Sequence, residues 1–209
     1  MDSKNVIAAI SLSAAVIILY SLFFAPTPSE LNKINKDITK NEISSETPLL
    51  DENNISAETS REDALDLNKR FSFKNKEITG SISLIGGVID DLTFKNYTET
   101  LNSDEKIILL NPKQIDKGYF VETGWVTNNK NIDIPNSKTE WKIKGNNKLT
   151  PENPVTLIWK NNQNLEFQKI FNIDEKFLFT VDQKIINKSN KIFNFYPYGQ
   201  IIRNKAPEV

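Results

Sequence analysis

The stretch GSISLIGGVIDDLTFKNY, residues 80–97, alternates apolar and polar residues on both sides of two adjacent glycines. Such alternation is typical of β-strands with one buried face. The glycines could form a phosphate loop, turn a hairpin or admit another backbone. A phosphate loop requires a following helix, whereas another alternating strand follows here, and Asp90 and Asp91 would repel a phosphate. We therefore predict that Gly86 and Gly87 form a structural hairpin turn with positive φ angles.

The register of this hairpin poses a problem for the two aspartates. A strict two-residue turn would place Asp91 on the apolar face, opposite Ile82. A three-residue loop, or a β-bulge near Asp90, would return Leu92 and Phe94 to that face, and we expect one of these. Since adjacent strand residues point to opposite faces, Asp90 and Asp91 are not expected to share a substrate. We interpret the pair as a solvated strand end or a bulge.

From Phe71 onward the same alternation recurs in short runs separated by turn residues. Many short strands without helical periodicity between them predict an all-β, antiparallel sandwich. The further predicted strands are 106–110, 119–126, 140–144, 155–160, 165–168, 177–185 and 191–196.

The N-terminal residues form an apolar segment that begins at Val6 and ends at Ala25, without a charged residue. Twenty helical residues span about 30 Å, the hydrocarbon thickness of a bilayer. A cleaved signal peptide is the alternative, but cleavage after Ala25 would put bulky Phe23 at position −3 and Pro26 at position +1, which makes a poor cleavage site. We predict an uncleaved transmembrane anchor over residues 1–25, with a cytoplasmic N-terminus and residues 26–209 outside.

Residues 26–70 contain no aromatic residue, and their ten acidic and six basic residues give a net charge of −4. This composition predicts a disordered polar linker, because too little apolar surface is present to offset the chain entropy. Within it, SREDALDL at 60–67 has a helix-capping pattern but few apolar residues, so we expect at most a fleeting helix. The folded domain is then predicted to span residues 71–209.

The composition excludes several classes of function. The net charge of −1 gives no support to a nucleic-acid-binding protein. The chain has no Cys and no His, which removes thiolate nucleophiles, the commonest general base and the commonest metal ligand. Trp125, Trp141 and Trp159 could stack on a sugar, but each lies in a predicted strand and is interpreted as core. We expect no catalytic, cofactor-binding or metal-binding residue.

Six runs occur in the order GSISLIGGVIDDLTFKNYTET from Gly80, IILL at 107–110, YFVETGW at 119–125, PVTLIW at 154–159, FLFTVDQKIIN at 177–187 and YPYGQIIR at 196–203. Together these runs resemble the YidC-type membrane protein insertases of the YidC/Oxa/Alb family, alphaproteobacterial members in particular. The resemblance implies a periplasmic β-supersandwich related to sugar-mutarotase folds, and an insertase formed by later transmembrane helices. It also implies membrane protein clients, a lipid bilayer and Sec translocon components as partners.

No residue of the implied insertase groove can be carried onto this chain, which we expect to be an N-terminal fragment. The leading hypothesis is therefore the anchor and periplasmic domain of an insertase, acting as a tether or partner-binding module in the inner membrane. An unrelated membrane-anchored scaffold or holdase is one alternative. A mutarotase-like sugar enzyme is another, although mutarotation commonly uses a His and this chain has none.

We predict that Met1 and the segment up to Ala25 are retained in the mature protein, because bulky Phe23 and the following Pro26 disfavour cleavage. The intact mass of the membrane-extracted protein measures this directly. A mature N-terminus at or near Pro26 would contradict the prediction.

Overall fold

The structure is a computed structural model and describes residues 59–206. Helix α1 is followed by eleven strands, β1 to β11. In chain order these are α1 Arg61–Asp66, β1 Arg70–Lys74, β2 Ile78–Ser83, β3 Val88–Thr98, β4 Lys106–Leu110, β5 Tyr119–Val126, β6 Lys142–Lys144, β7 Lys148–Leu149, β8 Val155–Lys160, β9 Leu165–Ile173, β10 Phe179–Asn187 and β11 Tyr196–Arg203. The prediction of an all-β fold is confirmed for this part of the chain.

Two sheets contain all eleven strands. The larger sheet has the order β11-β5-β3-β2-β1-β7, and β4 pairs with the outer half of β3. The smaller sheet has the order β10-β9-β8-β6. Neighbouring strands pair antiparallel throughout, apart from the short parallel pair of β1 and β7.

The core lies between the two sheets and is rich in aromatic side chains. Phe71 on β1 meets Phe171 on β9, with their ring centroids 5.7 Å apart. Trp125 on β5 meets Phe167 on β9 at 5.2 Å. These edge-to-face contacts join side chains of the larger sheet to side chains of the smaller one, so the two sheets form a sandwich with a shared apolar interior.

A β-bulge sets the register of the hairpin formed by β2 and β3. Ser81 lies opposite Asp91 and Ile82 lies opposite Ile89, which leaves Asp90 as the extra residue on β3. The predicted bulge near Asp90 is thus confirmed. It places Leu92 and Phe94 against the core, as the apolar pattern requires.

The turn between β2 and β3 consists of residues 84–87, and Gly86 and Gly87 have φ angles of 74° and 63°. The backbone of this turn is also paired to a second segment, because the Gly86 amide donates to the Thr139 carbonyl at 2.8 Å. A Cβ atom on Gly86 would lie 2.9 Å from the Ser137 carbonyl oxygen. The glycines therefore serve both a left-handed turn and the close approach of another backbone.

Two predictions about individual elements are wrong. Residues 191–195 do not form a strand, because they cross from one sheet to the other while Phe193 and Phe195 pack on the core, with Phe195 5.6 Å from Phe167. Residues 61–66, expected to be at most fleetingly helical, form α1, and Ser60 caps it by accepting from the Asp63 amide at 3.1 Å. Tertiary contacts of Arg61 with the larger sheet stabilise this short helix, and the local sequence does not reveal them.

Within residues 59–206, no helix is long and apolar enough to cross a membrane. The predicted anchor between Val6 and Ala25, and most of the predicted linker, lie outside the described residues.

Substituting Gly87→Val should lower the free energy of unfolding by more than the matched change Gly145→Val. Both positions have positive φ, so each substitution carries a backbone strain of about 1–2 kcal/mol. Only at Gly87 would the new Cβ also crowd a side chain, at 3.2 Å from Lys169, whereas Gly145 has open space around it. Denaturant midpoints of the detergent-solubilised chain measure both effects, and equal losses would show that crowding at the turn is unimportant.

Candidate functional site

The most unusual buried group in the described part of the chain is the amine of Lys169. This residue lies at the centre of β9 and is 1% exposed. Its Nζ donates to the Gly86 carbonyl at 2.8 Å and to the Thr123 carbonyl at 2.6 Å. It also lies 5.1 Å from the centre of the Trp141 ring. A side chain of the smaller sheet thus binds the hairpin turn and β5 of the larger sheet across the core.

A carboxylate and a phenol complete this buried cluster. Glu122 on β5 is 6% exposed, and the Tyr198 hydroxyl donates to it at 3.0 Å. Burial lowers the pKa of Lys169 to about 7, although the nearby Glu122 carboxylate acts in the opposite direction. Burial, followed by the same carboxylate, raises the pKa of Tyr198 above its ordinary value. The cluster therefore contains an amine that can exchange a proton near neutral pH.

A side chain that catalyses proton transfer must be accessible to the substrate or to water, and this cluster is closed to both. The space between Gly86, Glu122, Trp141, Lys169 and Tyr198 is too small for a water molecule. The Thr123 hydroxyl and the Trp141 indole nitrogen are buried beside it without a hydrogen-bond partner. A general base must reach the proton that it takes up, directly or through one water. This geometry suits a polar link between the sheets better than a catalytic centre.

The sequence analysis missed Lys169 altogether. The available signal was a single lysine in the middle of the apolar face of the run LEFQKIFNI, where Leu165, Phe167, Phe171 and Ile173 are its neighbours on a central strand. A charged residue in such a run needs buried partners. Those partners, two backbone carbonyls and an aromatic ring, come from distant strands and leave no pattern in the sequence.

A second cluster surrounds Asp90 and Asp91, and although the predicted bulge is present, the expectations of opposite faces and of a solvated strand end are wrong. The bulge turns both carboxylates into one network instead of placing them on opposite faces, and neither is solvated as a strand end would be. Arg70 pairs with Asp90, and Arg61 of α1 pairs with Asp91. The Ser81 hydroxyl joins the two pairs, accepting from Arg70 at 2.8 Å and donating to Asp91 at 2.6 Å.

The arginines neutralise this acidic pair. Burial raises the pKa of Asp90, and the Asp91 charge adds to that shift, while the charge and hydrogen bond of Arg70 oppose it. Both carboxylates are engaged by guanidinium groups, Asp91 by that of Arg61 on α1 and Asp90 by that of Arg70 on β1. The network docks α1 on the larger sheet, and Arg61 extends it to the Asn111 side chain at 3.2 Å. We assign a structural role to the network, since both carboxylates are already paired.

The structure places the three predicted core tryptophans as follows. Trp125 and Trp141 are buried, with exposed fractions of 4% and 1%. Trp159 is partly buried and packs against the same core. Among residues 59–206, no group of three or more potential ligand side chains is positioned to bind a metal ion.

We predict that Lys169 makes the stability of the protein depend on pH. The unfolded amine keeps its ordinary pKa of 10.5, so between pH 7 and pH 10.5 the unfolded chain binds a proton that the folded chain has released. Raising the pH through this window therefore stabilises the fold, by up to about 1.4 kcal/mol per pH unit. The denaturant midpoint should increase between pH 7 and pH 9, and this increase should be smaller in Lys169→Met than in the unchanged chain.

The exposed Lys184 on β10 provides the matched control. Lys184→Met should keep the pH dependence of the unchanged chain. If Lys169→Met also kept it, Lys169 would not be the group responsible.

Comparison with known proteins identifies the family of this sandwich. The family described as the YidC periplasmic domain matches residues 70–209. A curated protein of Pelagibacter ubique, named membrane protein insertase YidC, is 56% identical over 209 residues, covering 100% of this chain and 38% of that protein.

Two further relatives carry the same name. The protein of Mesorhizobium japonicum is 37% identical over 150 residues, covering 71% of this chain and 25% of its own length. The protein of Brucella suis is 38% identical over 153 residues, covering 73% of this chain and 25% of its own length. The chain thus spans between a quarter and two-fifths of the length of these relatives. The match over residues 70–209 shows that the chain belongs to the YidC periplasmic domain family.

Proposed function

We propose that residues 1–209 form the anchor and periplasmic domain of a membrane protein insertase, which aids the insertion and folding of inner-membrane proteins. The single observation that carries this proposal is the family match over residues 70–209. Relatives that align with this chain are named membrane protein insertases. The family match argues against an unrelated membrane-anchored scaffold or holdase.

Within this proposal, the domain acts by binding and holding partners, without chemistry of its own. Two features of the sandwich support such a role. The amine of Lys169 is enclosed in a space too small for a water molecule, and Asp90 and Asp91 are each paired with an arginine. These buried charged side chains thus already have their partners within the fold.

A mutarotase-like sugar enzyme is the weaker candidate. We infer a supersandwich of the mutarotase type from the resemblance of the strand sequences, and that inference concerns the fold class alone. Sugar mutarotation commonly uses a His as acid or base, and the chain contains none. The Trp125 and Trp141 rings, which could stack on a sugar, are instead 4% and 1% exposed within the core.

The proposed arrangement places the N-terminus in the cytoplasm and residues 26–209 in the periplasm, with the segment from Val6 to Ala25 in the inner membrane. Its partners are the lipid bilayer, membrane protein clients and components of the Sec translocon. A domain tethered at the membrane surface raises the effective concentration of a bound client or translocon component there. In this way a non-catalytic domain can assist insertion.

Residues 1–209 alone should not insert membrane proteins, even when they are correctly anchored. A client's polar flanks must cross the hydrocarbon, where an unpaired charge costs several kcal/mol. The segment 6–25 offers only Ser and Tyr side chains as polar groups and no positive charge. The test is reconstitution in liposomes with a short single-span client, scored by protease protection of that client.

The full-length relative from Pelagibacter ubique, reconstituted at the same density, is the positive control. Insertion by the 209-residue chain above the level of empty liposomes would contradict the tether role. Failure of the full-length relative as well would contradict the insertase assignment itself.

A further inference from the structure

The connection between β5 and β6 spans residues 127–141 and contains neither helix nor strand. Connections of this length without regular structure are uncommon in compact domains and commonly serve as lids or binding loops. Its last residues are fixed on the turn between β2 and β3. The Thr139 carbonyl accepts from the Gly86 amide, and the Trp141 amide donates to the Leu84 carbonyl, each at 2.8 Å. We call residues 127–138, which precede this fixed part, the strap.

The strap is attached to the sandwich by side chains, since no strand of either sheet lies within it. Two side-chain amides of the turn between β8 and β9 bind its backbone. Asn161 donates to the Asp133 carbonyl at 2.8 Å, and Gln163 donates to the Asn131 carbonyl at 3.4 Å. Ile132 adds an apolar anchor and is 8% exposed. The strap can therefore detach without breaking a pair of strands.

The strap forms one wall of the closed space around the Lys169 amine. Pro135 and Asn136 of the strap line this space together with Thr123 and Trp141. Because the space is too small for a water molecule, water reaches the amine only if one of the walls moves. Thr123 and Lys169 belong to paired strands of the two sheets, whereas the strap belongs to neither sheet. The strap is therefore the wall that can move with the least disruption of the fold.

Three buried polar atoms beside the strap lack a hydrogen-bond partner. The Thr123 hydroxyl and the Trp141 indole nitrogen border the closed space, and the Gln163 side-chain oxygen belongs to the amide that holds the strap. Among residues 59–206 only one further side chain, Gln114, has such an atom. Folded proteins rarely leave buried polar atoms unpaired, because each loses water without gaining a partner. Their clustering here indicates a second state of this region, in which water supplies the missing partners.

We propose that the strap opens as a unit while both sheets stay folded, and that opening admits water to the Lys169 amine and the Trp141 indole N–H. The hinges are Thr127, which directly follows β5, and Thr139, which is fixed on the turn between β2 and β3. Opening also exposes Ile132 to water, and this cost keeps the closed state the major one. The strap is thus a gate that decides whether the polar link between the sheets is dry or hydrated.

Thiol labelling in the full chain tests the proposal, and the absence of Cys from the sequence makes each engineered thiol unique. Thr123→Cys places a thiol of similar size beside the closed space. Val155→Cys is the control, because Val155 is 0% exposed and lies at the end of β8 away from the turn that holds the strap. In detergent we expect N-ethylmaleimide to modify Thr123→Cys at least about tenfold faster than Val155→Cys. Equal rates would overturn the proposal, since both thiols would then be reached only when the whole domain unfolds.

The denaturant dependence of labelling separates strap opening from unfolding. Local opening exposes little surface, so its equilibrium depends only weakly on urea, whereas unfolding follows the full m-value. On addition of about 1 M urea, we expect the Thr123→Cys rate to change by less than about twofold and the Val155→Cys rate to rise by at least about fivefold. A parallel rise of both rates would contradict a local opening.

A matched pair of substitutions tests whether the strap itself is the wall that moves. Ile132→Ala removes the apolar anchor of the strap, whereas Ile78→Ala removes the same atoms from a core position on β2 that is 1% exposed. We expect Ile132→Ala to accelerate labelling of Thr123→Cys several-fold and Ile78→Ala to leave it nearly unchanged. Gln163→Ala removes a polar contact of the strap without changing the apolar core, and it should act like Ile132→Ala. Equal effects of Ile132→Ala and Ile78→Ala would assign the access to another opening and overturn the proposal.

Exchange of the Trp141 indole N–H provides a measurement on the unaltered protein. This group has no hydrogen-bond partner, so its exchange is limited by the access of water alone. After correction for intrinsic rates, NMR should show it exchanging at least about tenfold faster than the amide of Phe167, which lies in β9 and is 0% exposed. Exchange as slow as that of the Phe167 amide would overturn the proposal even if the substitutions perturb the strap.

Discussion

The bulge at Asp90 is the constraint on which the larger sheet depends. Without the extra residue on β3, every side chain beyond it would exchange faces, and Leu92 would point away from the core. The long strand β3 pairs with β2 along one edge and with β5 and β4 along the other. A change of register in β3 would therefore disturb four strands together.

The bulge also creates a cluster of charge, and the chain stabilises it with two of its three arginines. Arg70 and Arg61 pair with Asp90 and Asp91, and the planar guanidinium suits partly buried carboxylates. Because Arg61 belongs to α1, the same interaction fixes the helix against the sheet. The bulge thus sets the register of β3, and the charged pairs that form at it hold the N-terminal helix on the sheet. Removing either arginine would leave a buried carboxylate without its counter-charge.

Lys169 plays a corresponding part between the two sheets. Its amine reaches from β9 to the carbonyls of Gly86 and Thr123, so the glycine turn and β5 are tied to the smaller sheet by one side chain. This buried polar link fixes the mutual position of the two sheets. The function proposed for the chain accordingly rests on surfaces and tethering, and the interior serves to hold those surfaces in place.

The all-β class and most strand positions could be predicted from the sequence alone, because period-two alternation is a local property that each strand carries. The same alternation required either a three-residue loop or a bulge in the hairpin, and the strand pairing selects the bulge. β4, β5 and β8 occupy the predicted ranges, and Trp125 and Trp141 lie in the core. Only the tertiary structure decided that α1 forms, that residues 191–195 cross between the sheets, that Asp90 and Asp91 share one network and that Lys169 is enclosed. Each of these depends on partners ten or more residues away in the chain, and contacts at such separations leave no periodic signal in the sequence.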